Sequence, residues 1–228
     1  MAVTQQHLSI DVSDKAGSVS ALLERPANAH ALYVLAHGAG AGMTHSFMTE
    51  TAESLHSRGI ATLRFQFPFT ERGGKRPDPR PWLQDTVAAA ITAGHAAMPD
   101  TPLLAGGKSM GGRMTSLLAA ADPPPDLAGL IYLGFPLHPP GKEGVTRATH
   151  LPSISIPTLF VQGTRDKLAV LPLMQRVLDG LPKSRTTMHV VEGADHGFHV
   201  LKRSGRTHEE VVTEIADAVA AFVARVAR

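Results

Sequence analysis

The stretch "LLAGGKSMGGRM", Leu103–Met114, admits two readings that lead to different proteins. Gly107-Lys108-Ser109 matches the end of a phosphate-binding loop, in which the serine would hold magnesium. Gly107-Lys108-Ser109-Met110-Gly111 matches Gly-x-Ser-x-Gly, the sharp strand-to-helix turn that exposes a serine nucleophile. The phosphate loop needs a further glycine five residues before Gly107. Pro102 stands there instead, and it has no N–H to offer a phosphate. The nucleophile turn needs a strand before it and a helix after it. "PLLAGG" (102–107) reads as that strand and "MGGRMTSLLAAA" (110–121) as that helix. Glycines two residues either side of the serine would spare a clash with the neighbouring strand and helix.

A serine hydroxyl is a weak nucleophile and needs a base, which a carboxylate must orient. In the fold that uses this turn, the chain order is serine, acid, histidine. Thr164-Arg165-Asp166 follows the apolar run "PTLFVQG" (157–163), and Ala194-Asp195-His196-Gly197 follows "TTMHVVEG" (186–193). Ser109, Asp166 and His196 are therefore the expected nucleophile, acid and base, each at a strand end. Asp166 also stands where it would cap a helix starting near 168. Asp195, beside the histidine, is better placed to shape its loop than to meet its ring. The oxyanion of an acyl-transfer intermediate needs N–H donors. Met110 N–H is the expected first donor. The second is expected from "HGAGAGM" (37–43), with Ala39 the first choice and Gly40 the next. Read as a dinucleotide fingerprint, that loop fails, because Met43 stands where the third glycine belongs. His37 is expected to pack and to hydrogen-bond its loop rather than to ligate a metal. His37, Phe67 and His138 are the candidates for contacting substrate.

The surrounding pattern alternates strands and helices. "HALYVLAH" (30–37), "IATLRFQF" (60–67) and "LAGLIYLGF" (127–135) read as further buried strands. Residues 46–59, 81–98 and 168–180 read as helices, and a last helix is expected from Thr207, with Glu210 completing a capping box. "HLSIDVS" and "SVSALLERP" are expected to pair as an antiparallel edge. Such alternation predicts an α/β fold: a mostly parallel twisted sheet with helices on both faces. Ligands then bind beyond the carboxyl ends of the strands. Only about 15 residues (136–150) follow the strand ending near 135, too few for a cap domain. No repeat or linker divides the chain, so residues 1–228 are expected to form one domain.

Composition narrows the function. With 22 basic and 20 acidic residues, the net charge of +2 does not suit a nucleic-acid surface. Without cysteine, thiolate catalysis, disulfides and Cys-ligated zinc are excluded. No apolar run approaches the ~20 residues that span a bilayer. The N-terminal stretch does not read as a signal peptide, and a cytoplasmic location is expected. The basic loop residues Arg72, Lys75, Arg76 and Lys142, with His138, are candidates for contact with an acidic substrate. Surface exposure explains them equally well.

These motifs together resemble the α/β-hydrolases, and more narrowly the small branch near dienelactone hydrolases. The likeness is carried by "AHGAGAGM" (36–43), "RFQFPFTERGGKRPDP" (64–79), "GGKSMGGRM" (106–114), "GFPLHPPGK" (134–142), "PTLFVQGTRD" (157–166) and "GADHGF" (193–198). It is similar also to α/β-hydrolase-like proteins that include a scaffold subunit of the nonspecific-lethal histone acetyltransferase complex. The resemblance implies an α/β-hydrolase fold, the roles already named for Ser109, Asp166 and His196, no cofactor and no metal. The expected partner is a small acyl ester or thioester, with no nucleic acid or membrane. Monomer and homodimer remain equal expectations. Dienelactone hydrolases use a cysteine nucleophile, so their particular chemistry does not carry over. The alternative function is a binding scaffold on a hydrolase fold.

Overall fold

Among the described residues, 2–227 of this computed structural model, eight strands form one sheet. They are β1 (Val3–Ser13), β2 (Gly17–Pro26), β3 (Ala31–Ala36), β4 (Ile60–Phe65), β5 (Leu103–Lys108), β6 (Leu127–Leu133), β7 (Thr158–Gly163) and β8 (Thr186–Val191). The order is β1-β2-β4-β3-β5-β6-β7-β8. β3 to β8 are mutually parallel, while β1 and β2 form an antiparallel edge laid against β4. This is the α/β-hydrolase architecture, with an open sheet and no large cap. β5 runs through Lys108, so no phosphate-binding loop separates strand from helix there.

The helices are α1 (Ser46–His56), α2 (Pro68–Glu71), α3 (Arg80–Ala97), α4 (Met110–Ala121), α5 (Leu171–Asp179) and α6 (His208–Val226). Each central strand is buried on both faces, and its two-residue period divides the core. In β3, Leu32, Val34 and Ala36 join the cluster packed by α3, α4 and α5. Ala31, Tyr33 and Leu35 join the cluster packed by α1 and α6. α6 starts with the expected capping box, Thr207 Oγ1 accepting from Glu210 N–H at 3.1 Å. α5 begins at Leu171 rather than near 168, with Pro172 in its first turn. α2 lies inside a stretch read as loop; Pro68 fixes the backbone angle for a single turn too short to show a helical period. A buried ion pair between Arg64 on β4 and Glu24 on β2, 2.5 Å, ties the edge hairpin to the sheet.

No helix among the described residues is long and apolar enough to cross a membrane. Nor do they bring three metal-ligating side chains together.

Candidate active site

Parallel strands end at one rim of the sheet, and the turn after β5 lies at its middle. Ser109 there has φ +50°, a left-handed conformation that a side chain rarely adopts. Two close approaches explain the glycines around it. A Cβ at Gly107 would lie 2.1 Å from the Ala36 carbonyl oxygen, and one at Gly111 2.5 Å from the same atom. Both clashes fall on the neighbouring strand β3, whereas a split between strand and helix was expected. The absence of both side chains lets α4 rise directly from β5 and leaves Ser109 at the apex.

The loops after β7 and β8 bring two groups to that apex. His196 Nδ1 lies 2.7 Å from Asp166 Oδ2, and His196 Nε2 lies 2.8 Å from Ser109 Oγ. The carboxylate can only accept from Nδ1–H, so Nε2 is left to accept from the serine hydroxyl. Asp166 is 2 % exposed, and its charge is held by three donors. Gln162 Nε2 donates to Oδ2 at 2.6 Å, and Leu168 N–H donates to Oδ1 at 2.7 Å. The second of these is a turn cap, so the two readings of Asp166 coexist. Its cap closes the turn before α5 rather than the helix itself, whose N-cap is Val170.

Asp195 holds the histidine loop. Its Oδ1 accepts from Gly197 N–H at 2.8 Å and from His199 N–H at 2.9 Å. Phe198 takes a positive φ of 62° and buries its ring against Phe47, stacked at 5.5 Å. A further tie comes from the elbow. Lys108 Nζ donates to the His196 carbonyl at 2.5 Å and sits 5.4 Å from the Phe198 ring centre. Burial pushes the Lys108 ammonium down to about 8, against the pull of Asp166 and Asp195. Lys108 and Gln162 are the residues that sequence reasoning missed. Gln162 left one signal, a buried-strand amide directly after the apolar run Leu159–Val161.

A cleft of about 350 Å³ opens over Ser109. Gly38–Ala41, His45–Met48, Lys108, Ser109, His196, Gly197, His199 and His208 line it. Ala39 and Gly40 therefore face the same space as the serine. Among the described residues, neither of their N–H groups donates to another protein group, so both are free to bind a ligand oxygen. Met110 is the first residue of α4, where a helix leaves its N–H without an internal partner.

The three residues expected to contact substrate lie elsewhere. His37 and Phe67 are wholly buried and His138 nearly so, and none of them lines the cleft. The ring of His37 is locked on both sides: Nδ1 meets the Gly38 carbonyl at 2.7 Å and Nε2 accepts from Phe67 N–H at 3.1 Å. Burial drives its pKa down to about 4, with the Gly38 hydrogen bond opposing weakly. Its neutral ring braces the base of the 37–43 loop. Strand-end position told which rim these residues occupy, but not that their side chains turn inward. Of the basic loop residues, Arg72 pairs with Asp78 at 2.6 Å, and none of the group lines the cleft.

Comparisons with known proteins agree with this fold. A dienelactone hydrolase from Anabaena variabilis superposes with a TM-score of 0.80 over 100% of both chains, at 20% identity. An α/β serine hydrolase without lid from Xanthomonas campestris gives 0.74 at 20% identity, covering 99% of this chain and 96% of that one. A cold-adapted esterase from an Arctic intertidal metagenomic library gives 0.70 at 20% identity, covering 97% and 94%. At such identities these likenesses speak for the fold. The family profile described as an alpha/beta hydrolase domain matches residues 29–224, and the chain belongs to that family.

Proposed function

We propose that the protein is a serine hydrolase that cleaves a carboxylic ester or thioester through an acyl-enzyme. One observation carries this reading: the unbroken chain from Ser109 Oγ through His196 to Asp166, with links of 2.8 and 2.7 Å, opening onto a cleft. Ser109 Oγ attacks the carbonyl carbon while His196 Nε2 takes its proton. Asp166 keeps the imidazole in the Nδ1–H tautomer and stabilises the imidazolium that forms. The negative charge gathering on the carbonyl oxygen is met by Met110 N–H and Ala39 N–H, with Gly40 N–H the alternative second donor. Loss of one such donor in acyl-transfer enzymes typically costs about 100- to 1,000-fold in kcat. His196 then returns the proton to the leaving alcohol or thiol. In the second half, His196 takes a proton from water, the hydroxide attacks the acyl carbon, and Ser109 is released with the acid.

The proposed ligand is a small molecule, and the site is self-contained within one chain, which we take as a single domain. A fluorophosphonate probe tests the nucleophile: the wild type is expected to label, and Ser109→Ala is expected not to. Equal labelling of both, or none of the wild type, would refute the mechanism. A panel of p-nitrophenyl esters from acetate to octanoate separates an enzyme from a binding scaffold. Turnover that disappears in Ser109→Ala and in His196→Ala supports the enzyme, and absence of turnover on the whole panel supports the scaffold.

A further inference from the structure

The cleft over Ser109 has a neighbour. α1 and α6 pack against each other, and a second, open groove of about 550 Å³ runs along them. Glu50, Glu53 and Ser54 of α1 line that groove from one side, and Glu209, Val212 and Thr213 of α6 line it from the other. Among the described residues, His208 is the one that lines both spaces. It therefore stands between the cleft, about 350 Å³, and the groove. On the cleft side, the buried Phe47 and Met48 supply an apolar floor, which suits a hydrocarbon chain.

A surface imidazole is free to change rotamer, but this one is held from three directions. Its backbone is the first residue of α6, fixed by the Thr207–Glu210 capping box. From the groove, Glu50 Oε2 lies 2.6 Å from Nε2, and a carboxylate can only accept, so Nε2–H donates. From the cleft, the His199 ring stacks on it, with ring centres 5.8 Å apart and an interplanar angle of 21°. His199 is itself folded back over the histidine loop. A Cβ at Gly197 would lie 2.5 Å from His199 Nδ1, and Asp195 Oδ1 lies 3.5 Å from the same nitrogen. His199, which lines the cleft, His208, which lines both spaces, and Glu50, which lines the groove, thus form one tied row from the histidine loop to α1.

We infer that His208, held by Glu50 and His199, is a specificity-determining end wall: it closes the cleft against the α1–α6 groove and limits one arm of the substrate to a short, uncharged hydrocarbon chain. This rests on the serine-hydrolase reading of Ser109. A tied wall sorts substrates by length, because a longer chain has to displace atoms that are fastened on both sides. In a fixed pocket one methylene too many is worth about 10- to 200-fold in kcat/KM.

Two pairs of esters test it with the full-length protein. p-Nitrophenyl butyrate and octanoate vary the acyl arm. Butyl and octyl acetate, followed by acid release, vary the alcohol arm. In at least one pair, the wild-type kcat/KM for the long ester is expected to be at most about one-tenth of that for the short one. His208→Ala joins the cleft to the groove, and the long-to-short ratio is expected to rise about tenfold or more. The exchange leaves the capping box in place and removes an ion pair whose side chains are 41 and 42 % exposed, so the fold is retained. Glu50→Ala frees the ring and is expected to raise the ratio by a smaller factor. Glu50→Gln keeps an acceptor for Nε2–H and is expected to hold the wild-type ratio. A general loosening of the fold would lower both rates together and leave the ratio where it was. The pair whose ratio responds to His208→Ala identifies the arm that occupies the cleft. Equal wild-type rates on short and long esters in both pairs, or a ratio unchanged in His208→Ala, overturn the wall; turnover still abolished by Ser109→Ala then leaves the hydrolase reading intact. A ratio unchanged in Glu50→Ala overturns the part given to Glu50. Absence of any turnover overturns the hydrolase reading and the wall with it.

Discussion

Acid should weaken this fold through a residue that lies outside the lining of the cleft. His37 is wholly buried, and both ring nitrogens are engaged: Nδ1–H donates to the Gly38 carbonyl and Nε2 accepts from Phe67 N–H. Protonating Nε2 turns that acceptor into a donor facing another donor, inside the core. Its pKa accordingly falls from 6.5 to about 4, chiefly through burial. The sign follows from proton counting. Between these values the unfolded chain binds the proton and the folded chain does not, so stability is full above about pH 6.5 and falls as pH drops toward 4. The whole gap corresponds to about 3 kcal/mol, of which about 2 kcal/mol is lost by pH 5. The perturbation is His37→Gln, which keeps an acceptor and a donor but does not titrate in this range. Urea unfolding at pH 7 and pH 5 gives the stability gap between wild type and variant at each pH. Whatever the variant costs at pH 7, the gap should shrink by about 2 kcal/mol at pH 5. An unchanged gap would refute the reasoning, since it would mean that His37 carries no more of the acid sensitivity than glutamine. His150, also driven down to about 4, adds to the fall of the wild type but cancels in the comparison.

Three further variants test particular contacts. Gln162→Leu removes the 2.6 Å donor to Asp166 Oδ2, and kcat/KM on a p-nitrophenyl ester should fall about tenfold or more. Lys108→Met cuts the 2.5 Å tie to the His196 carbonyl, and kcat should fall more than KM rises if that tie positions the base. The charge of Lys108 costs the folded state until it is shed. Wild-type stability relative to Lys108→Met should therefore rise between about pH 8 and 10.5, measurable by thermal melts across that window. Gly111→Ala places a Cβ 2.5 Å from the Ala36 carbonyl oxygen, and chemical denaturation should show a loss of about 3 kcal/mol. A loss under 1 kcal/mol would mean that α4 shifts freely away from β3.

Steric and periodic constraints left the clearest marks in the sequence. The apolar runs of β3 to β7 were legible because a strand covered on both faces is mostly apolar, with each buried polar exception such as Arg64 or Gln162 held by a partner. Gly107 and Gly111 were legible because backbone approach admits no substitute at those distances. The order of Ser109, Asp166 and His196 was legible because each follows a strand of one parallel sheet. What escaped was side-chain direction. A loop position places His37, Phe67 and His138 at the correct rim, yet each turns into the core, where its polar or aromatic surface braces a loop. The start of α5 escaped for another reason. Asp166 caps a turn three residues before the helix, and no local signal separates a turn cap from a helix cap.

Lys108 combines both kinds of limit. In the chain it occupies the variable position of Gly-x-Ser-x-Gly, and the motif itself demands nothing of it. Its partner, the His196 carbonyl, lies 88 residues away. A backbone carbonyl has no residue identity, so this bond leaves no trace in either sequence segment. Yet the bond joins the serine turn directly to the histidine loop, the two parts whose spacing sets the 2.8 Å contact between Oγ and Nε2. A lysine spends burial free energy to reach that carbonyl, and methionine of similar length would fill the space without it. Asp166 and Asp195 lie close enough to pull the Lys108 pKa back up against that burial. The residue that made the stretch look like a phosphate loop is thus accounted for by the geometry of the serine turn: it fastens the His196 loop to the Ser109 turn.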